Sequence, residues 1–317
     1  MNLAIAESLP ELKQQRKKET RKRILRNKWM YLMILPGLLY FIVFKYIPMY
    51  GLIIAFQEYK PYLGVLKSDW VGFAQFHRLF NDPWFWTITK NTLVLFVLNI
   101  TIYFPIPIIL ALMLNEVRVQ IFKRTIQSIV YLPYFMSWVI VVSISFVLLS
   151  VDNGIVNNLL AEAGYEKINF FLDPRWFRPM YILQNIWREA GWGTIIYLAA
   201  MAGVDPQLYE AAHMDGAGRF KQMWHITLPS IRNVIVIMLL LRMGNVLEVG
   251  FEHVYLLLNA MNRHVGEIYD TYMYTVGLLQ QQFSYTTAVG FFRSAVGLIL
   301  VVVANWLAKL FKEEGIF

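Results

Sequence analysis

The sequence contains no cysteine, which excludes disulfide bonds, thiolate nucleophiles and zinc sites built from cysteine. Charge is also scarce: Asp, Glu, Lys and Arg make up 16% of the 317 residues, against about a quarter in an average soluble domain. In contrast, 57% of the residues are hydrophobic, and several apolar runs reach the about twenty residues that a bilayer-spanning helix needs. These features predict an all-α, polytopic membrane protein.

Motifs of several catalytic classes are missing as well. The sequence has no G-x-x-x-x-G-K-[ST] phosphate loop and no H-E-x-x-H zinc motif. Its five histidines show no metal-ligand spacing. We therefore expect no enzyme activity, no metal and no cofactor bound by this chain.

Basic residues are concentrated at one end of the sequence. Nine of the 29 Lys and Arg residues lie between Lys13 and Lys28, directly before the first apolar run. Such a run is typical of a cytoplasmic topology signal near anionic lipid headgroups, and it accounts for much of the net charge without nucleic acid. No small-residue cleavage site follows the apolar stretch, so the segment is not read as a cleavable signal peptide. We interpret residues 1–28 as a basic cytoplasmic tail.

Six membrane spans are predicted, and they put both termini in the cytoplasm. The predicted segments are 29–56 (a first helix with an outer extension), about 91–114, 128–150, 180–202, 230–250 and 286–311. Pro105 and Pro107 are expected to kink the second span. The predicted inner loops carry Lys and Arg whereas the outer ones are more acidic, as the positive-inside rule requires. The pattern predicts a multi-pass membrane protein.

The loop between the fourth and fifth spans is unusually structured for a connection. Gly203 can end the fourth span with a left-handed cap, Asp205 is a good N-cap and Pro206 suits a first helical position. A short helix with small residues should follow, and Asp215-Gly216 indicates a turn. Phe220, Trp224 and Ile226 are then spaced as in a second short helix. These features suit docking on another protein, although an amphipathic helix lying on lipid is the alternative.

This loop resembles the EAA motif of ABC importer permeases, in which E-A-A and G precede I-x-L-P. The segments PIPIILALMLNEVR, YLPYFMSWV and GWGTIIYLAAMAGVDPQLYEAA are similar to the carbohydrate branch, especially permeases for aldouronate-type or other polysaccharide-derived oligosaccharides. The resemblance implies a coupling helix that docks on a cytoplasmic ATPase. The residues carried over to that role are Glu210, Ala211, Ala212, Asp215, Gly216, Ala217, Phe220, Leu228 and Pro229.

The resemblance also implies an architecture and a set of partners. It suggests a type I ABC importer transmembrane domain over 87–311, with five helices and a coupling loop at 204–229. The implied partners are an ATPase dimer that uses ATP and Mg²⁺, a second related permease and an extracytoplasmic substrate-binding protein. The implied function is import of an oligosaccharide by alternating access.

Charged and aromatic residues inside the predicted spans are candidates for the substrate pathway. Arg188 and Trp192 lie in the fourth span and Arg293 in the sixth. Cations beside rings suit an acidic, uronate-type glycan. Pairing with a partner subunit, an ordinary aromatic belt, or snorkelling of Arg293 would explain the same residues.

Two other functions remain open on sequence alone. A stand-alone secondary carrier would need a coupling-ion site, and six spans without internal duplication are few for one. A non-transporting membrane assembly subunit is the second alternative. A membrane-embedded enzyme is disfavoured, because no recognisable catalytic set is present.

Overall fold

The computed structural model describes residue 22 and residues 26–244 and 247–310. Most of the predicted basic tail and Phe311, the last residue of the predicted sixth span, lie outside the described residues. The described helices are α1 (Lys28–Phe56), α2 (Ala74–Asn81), α3 (Pro83–Asn115), α4 (Gln120–Phe135), α5 (Trp138–Leu149), α6 (Ile155–Glu162), α7 (Phe177–Ala202), α8 (Pro206–Met214), α9 (Arg219–Ser230), α10 (Arg232–Gly244), α11 (Phe251–Leu257), α12 (Arg263–Gly266), α13 (Tyr269–Tyr272) and α14 (Phe283–Leu310). Two short strands, β1 (Gln57–Glu58) and β2 (Asp69–Trp70), pair antiparallel between α1 and α2.

The predicted membrane spans are matched in part. Over the described residues, three helices are long and apolar enough to cross a membrane, or up to five if each bent pair counts as one span. The three are α1, α3 and the 283–303 part of α14, and the bent pairs are α4–α5 and α9–α10. The helix α7 is long enough at 26 residues, but it carries Arg178, Arg188 and Glu189. Six spans and the orientation of the termini therefore stay predictions.

Several boundaries differ from the sequence-based ones. The third predicted span is broken: α4 and α5 meet at 101°, where Ser137 caps α5 by accepting from the Ile140 N–H at 3.4 Å. The fifth corresponds to α10, which ends at Gly244 rather than Gly250, and a 58° bend at its start separates it from α9. The second begins at Pro83 rather than Asn91, because the Asp82 carboxylate accepts from the Trp84 N–H at 2.9 Å and so caps the helix earlier.

A widened helical turn precedes the prolines that were expected to kink the second span. Residues Asn99–Tyr103 form a π-helical turn in which the Phe104 N–H donates to the Asn99 carbonyl at 2.8 Å. Similar turns precede Pro48 and Pro229. Proline lacks the N–H that an α-helical register needs, and a π turn shifts that register locally. The chain thus passes through each proline without ending the helix.

The apolar core consists of three main clusters along the bundle. One joins α3, α5 and α7 to α11, around Leu95, Tyr181 and Val254. The second joins α2, α3, α13 and α14, and the third joins α3 and α7 to α10. Close approach of α7 to α4 requires a glycine, since a Cβ at Gly191 would lie 2.0 Å from the Val130 carbonyl oxygen.

The helix α3 defines the two ends of the molecule. Its 33 residues span roughly 50 Å at about 1.5 Å per residue. At its last residue, Asn115 shares a cavity with His213 and Gly216 of the loop between α7 and α10. At the other end Asp82, which caps the first turn of α3, accepts hydrogen bonds from Tyr272 and Tyr285. We call the end at Asn115 the coupling end, after the coupling loop that the resemblance implies there, and the end at Asp82 the outer end, after the side of the membrane that the sequence predicts for it.

Candidate functional site

The first half of the structured loop at the coupling end forms as the sequence predicts. The helix α8 begins at Pro206, and the Asp205 carboxylate accepts from the Gln207 N–H at 2.9 Å. The expected left-handed cap at Gly203 is wrong, because this residue has φ −88° and ψ −2°. Ordinary backbone at Gly203 suffices here, since its N–H still reaches the Ala200 carbonyl at 3.1 Å.

The turn after α8 depends on Gly216. This residue has φ +76°, a left-handed conformation that costs other residues free energy. Its N–H donates to the His213 carbonyl at 3.0 Å and the Ala217 N–H donates to the Ala212 carbonyl at 2.9 Å. These two bonds form a Schellman motif, which satisfies carbonyls that would otherwise be unpaired at the helix end.

The second half of the loop is held against the first by side chains. The Tyr209 hydroxyl and the Thr227 hydroxyl are 3.0 Å apart, and Thr227 is buried. The Gln222 amide donates to the Ala217 carbonyl at 2.9 Å. The rings of Phe220 and Trp224 lie nearly parallel with centroids 6.5 Å apart. The loop from 204 to 229 is therefore a defined elbow, and we refer to it as the coupling elbow.

Most of the coupling elbow faces outward from the chain. No residue of α8 is buried; Glu210 and Ala211 are exposed, while Ala212 and Ala217 are half-buried. Phe220 is 72% exposed. Asp215, Gly216 and Pro229 are also exposed, and Leu228 is half-buried. An exposed apolar surface on a rigid element is the geometry that a docking site requires.

Arg188, a candidate for the substrate pathway, lies at the bend between α4 and α5. Its Nε–H donates to the Met136 carbonyl at 2.8 Å, so it satisfies a carbonyl that the bend leaves unpaired. Its guanidinium forms an ion pair with Glu189 and lies 4.5 Å from the centroid of the Trp138 ring. The positive charge is thus neutralised within the chain.

Trp192 stands beside the same bend. Its ring is parallel to that of Tyr134, with centroids 4.5 Å apart, and Tyr134 in turn faces the Arg188 guanidinium at 5.6 Å. The structure therefore brings Arg188 and Trp192 into one aromatic cluster, which includes Tyr134 and Trp138. Sequence reasoning did not single out these two rings; the YLPYFMSWV segment that carries them was noted only for its resemblance.

Arg293 occupies a different place. It forms ion pairs with Asp270 and with Glu248, the latter at 3.6 Å, and only 14% of its side chain is exposed. It lines a cavity of about 720 Å³ between the end of α10, α14 and the segment 273–278 that follows α13. Neither Arg188 nor Trp192 lines that cavity. The structure therefore does not bring the three candidates together there.

A buried polar network links α3 to α7. The Asn185 amide donates to Asn99 at 2.5 Å, Asn99 donates to the Tyr181 hydroxyl at 2.8 Å, and Tyr181 donates to the Val249 carbonyl at 2.8 Å. Sequence reasoning missed this network. Asparagines within apolar helices are the signal that indicates such a network.

The family comparison places most of this chain in one known group. Residues 104–313 match the family described as binding-protein-dependent transport system inner membrane component. The chain is 65% identical over 305 residues to the polygalacturonan/rhamnogalacturonan transport system permease protein YteP of Bacillus subtilis (strain 168), covering 95% of each chain. It is 55% identical to protein LplB of the same organism, covering 92% of each.

Solved structures resemble the fold over nearly its whole length. A bacterial ABC transporter involved in the import of the acidic polysaccharide alginate contains a chain of 41% identity and TM-score 0.86, with 92% of this chain and 98% of that one covered. The alginate transporter in complex with an alginate pentasaccharide-bound periplasmic protein gives 40% identity and TM-score 0.87, with 93% and 99% covered.

Proposed function

This chain belongs to the family of binding-protein-dependent transport system inner membrane components, and from that premise we propose that it imports an acidic oligosaccharide. The observation that carries the substrate class is the similarity to a polygalacturonan/rhamnogalacturonan permease and to an importer of the acidic polysaccharide alginate. Both names denote polymers that contain uronic acids. The family consists of membrane permease subunits, so this chain is a permease subunit without catalysis of its own.

We propose that the permease works with three kinds of partner. A cytoplasmic ATPase dimer that uses ATP and Mg²⁺ supplies the energy, a second related permease completes the path, and an extracytoplasmic binding protein delivers the sugar. The periplasmic protein bound to the alginate transporter supports the last of these. In this proposal the protein has six spans in a bacterial cytoplasmic membrane, with both termini inside.

The coupling elbow is the proposed ATPase-docking element. Its rigid caps and its exposed Ala211 and Phe220 support this role. Closure of the ATPase dimer would move the elbow as a rigid body, and α9 would transmit that movement into α10. The docking residues proposed are those at positions 210, 211, 212, 215, 216, 217, 220, 228 and 229.

The substrate pathway is proposed to include the aromatic cluster at Arg188 and Trp192 and the cavity at Arg293. Rings stack on the faces of sugars, and guanidinium groups bind carboxylates. Since Arg188 and Arg293 are already paired with carboxylates, they would have to exchange partners to bind a uronate. Uptake by Arg188→Ala and Arg293→Ala complexes tests this pathway, and unchanged uptake in both would remove it from the proposal.

Copurification and uptake test the function as a whole. Tagged permease purified from membranes should bring down an ATPase and a second permease. Proteoliposomes containing that complex and the binding protein should take up trigalacturonate only with ATP inside. Uptake that survives ATP depletion and follows an ion gradient would instead indicate a secondary carrier.

A further inference from the structure

An open cavity of about 510 Å³ lies at the outer end. It shares Phe283 with the cavity that Arg293 lines, but neither Arg293 nor Arg188 lines it. It is bounded by β1, α2 and the start of α14. Polar and aromatic side chains line it, namely Glu58, Tyr59, Gln75, Arg78, Gln281 and Gln282. Its volume suits a sugar unit with part of a neighbour, and its lining is rich in the amide and guanidinium groups that bind sugars.

The cavity walls come from distant parts of the chain and are fixed to one another. The Tyr59 N–H donates to the Ser284 hydroxyl at 2.8 Å, across 225 positions of sequence. The Tyr285 hydroxyl donates to the Asp82 carboxylate at 2.7 Å, and Tyr285 is only 1% exposed. These contacts hold the walls without any ligand, so the cavity is preformed.

Arg78 lines this cavity from an exposed position on α2 and contacts two other residues of the cavity wall. Its Nη2–H donates to the Gln282 side-chain oxygen at 2.7 Å, and its guanidinium lies 4.3 Å from the centroid of the Tyr285 ring. One of the five N–H donors of a guanidinium is used by that bond. Within the described residues Arg78 forms no ion pair, whereas Arg188 and Arg293 do. Its charge is thus oriented but not neutralised.

Gln281 adds an unusual backbone conformation. With φ +60° it is the one non-glycine residue with positive φ in the described part of the chain. Such a conformation is disfavoured for a non-glycine residue and is concentrated at binding sites. The Gln282 N–H closes the turn by donating to the Val276 carbonyl at 3.0 Å. The turn thereby presents two adjacent amide side chains to the cavity.

We propose that this outer cavity binds an acidic sugar unit of the incoming oligosaccharide, with Arg78 as the carboxylate-binding residue. This site rests on the proposed function. Glu58, which shares the cavity, disfavours a bare polyanion such as phosphate but accepts hydrogen bonds from sugar hydroxyls. A uronate sugar offers one carboxylate and several hydroxyls, which matches Arg78 together with Glu58 and the three glutamines. Because the cavity opens at the outer end, it would receive the sugar before the membrane bundle does.

Binding of trigalacturonate to the purified transporter complex tests the site without the binding protein. We expect Arg78→Gln to weaken binding about tenfold, since one charge-assisted contact is lost. Arg78→Lys should bind trigalacturonate with intermediate affinity, because lysine keeps the positive charge but lacks the planar guanidinium that binds a carboxylate through two hydrogen bonds. Arg175→Gln is the matched control: this exposed arginine is paired with Asp173 in another outer loop. Neutral galactotriose should bind Arg78→Gln and the unsubstituted complex equally.

The outcomes separate the site from the function. If Arg78→Gln binds trigalacturonate as tightly as the unsubstituted complex, the site is overturned while the importer stands. A parallel loss of trigalacturonate and galactotriose binding would likewise overturn the role of Arg78 in selecting the carboxylate. If the unsubstituted complex neither binds nor imports trigalacturonate, the proposed substrate class itself fails. Should Arg78→Gln not assemble, Gln75→Ala replaces it, with an expected severalfold loss that is absent in Arg175→Gln.

Discussion

The coupling end and the outer end of this molecule are built in opposite ways. The coupling elbow is exposed, and its defining bonds join residues within 18 positions of one another. The outer end is held by hydrogen bonds between residues about 180 to 225 positions apart in the sequence. Examples are the bonds from Trp84 to Glu267 and from Tyr59 to Ser284. The difference teaches that the proposed docking surface is formed by contacts between residues close in sequence, whereas the outer end depends on the complete fold.

Burial sharpens this contrast. At the outer end the side chain of Glu267 is only 1% exposed and accepts from the Trp84 indole at 2.8 Å. Burial raises the pKa of Glu267, and the Trp84 hydrogen bond and Arg263 oppose that rise. At the coupling end no residue of α8 is buried. Substitutions of buried residues at the outer end should therefore affect stability, and those at the coupling end should affect the link between ATP use and transport.

The largest effect on transport is expected from Gly216→Val. A β-branched residue is disfavoured at φ +76° by about 1–2 kcal/mol, so the turn should rearrange. We expect uptake and substrate-stimulated ATP hydrolysis to fall at least about tenfold, with little change in the thermal unfolding midpoint. Gly218→Val is the matched control, because Gly218 has φ −68° and both positions have open space around a Cβ. Equal uptake in the two variants would refute the special role of Gly216.

The largest effect on stability is expected from Asp82→Ala. This carboxylate caps α3 and accepts from Tyr285 and Tyr272, at 2.7 Å and 3.2 Å. Loss of the cap and of a partner for a buried hydroxyl should cost about 2 kcal/mol or more. Thermal unfolding of the purified complex measures the change. An unchanged midpoint would show that the outer end is not held as described.

In the middle of the bundle, a substitution at the contact between α7 and α4 should change stability through packing alone. Gly191→Ala places a Cβ 2.0 Å from the Val130 carbonyl oxygen, so α7 and α4 must separate at a cost of about 1–3 kcal/mol. Gly297→Ala is the control, since nothing lies within 4 Å of a Cβ there. Unfolding midpoints of the two variants should differ by several degrees, and equal midpoints would contradict the close contact of α7 with α4.

The smallest effect is expected at the surface of the outer end. Lys60 and Asp69 form an ion pair at 3.2 Å, but the Asp69 side chain is 68% exposed. Exposed ion pairs contribute little to stability because water screens them, so Asp69→Ala should leave the unfolding midpoint and uptake nearly unchanged. If Asp69→Ala lowered the unfolding midpoint as much as Asp82→Ala does, the exposure of an aspartate would not predict its contribution to stability.

The same contrast explains what the sequence could predict. The Asp205 cap, Pro206 and the Gly216 turn depend on neighbours a few residues away, and all three were predicted correctly. The apolar runs predicted a mostly helical membrane protein, because a run of apolar residues is also a feature of neighbouring positions in the sequence. The break between α4 and α5 was missed, because an apolar run does not reveal where Arg188 of another helix takes the place of a backbone partner. Arg78 was missed because Tyr285 and Gln282, which orient it, are about 200 positions away.

A photo-crosslinking residue at Ala211 tests the central claim most directly. Ala211 is exposed on α8, and the same probe at Leu66, which is 88% exposed near the outer end, provides the comparison. In membranes we expect the Ala211 probe to crosslink to the ATPase and the Leu66 probe not to. Crosslinks from Ala211 to lipid alone, with the ATPase present in the same membranes, would contradict the assignment of the coupling elbow.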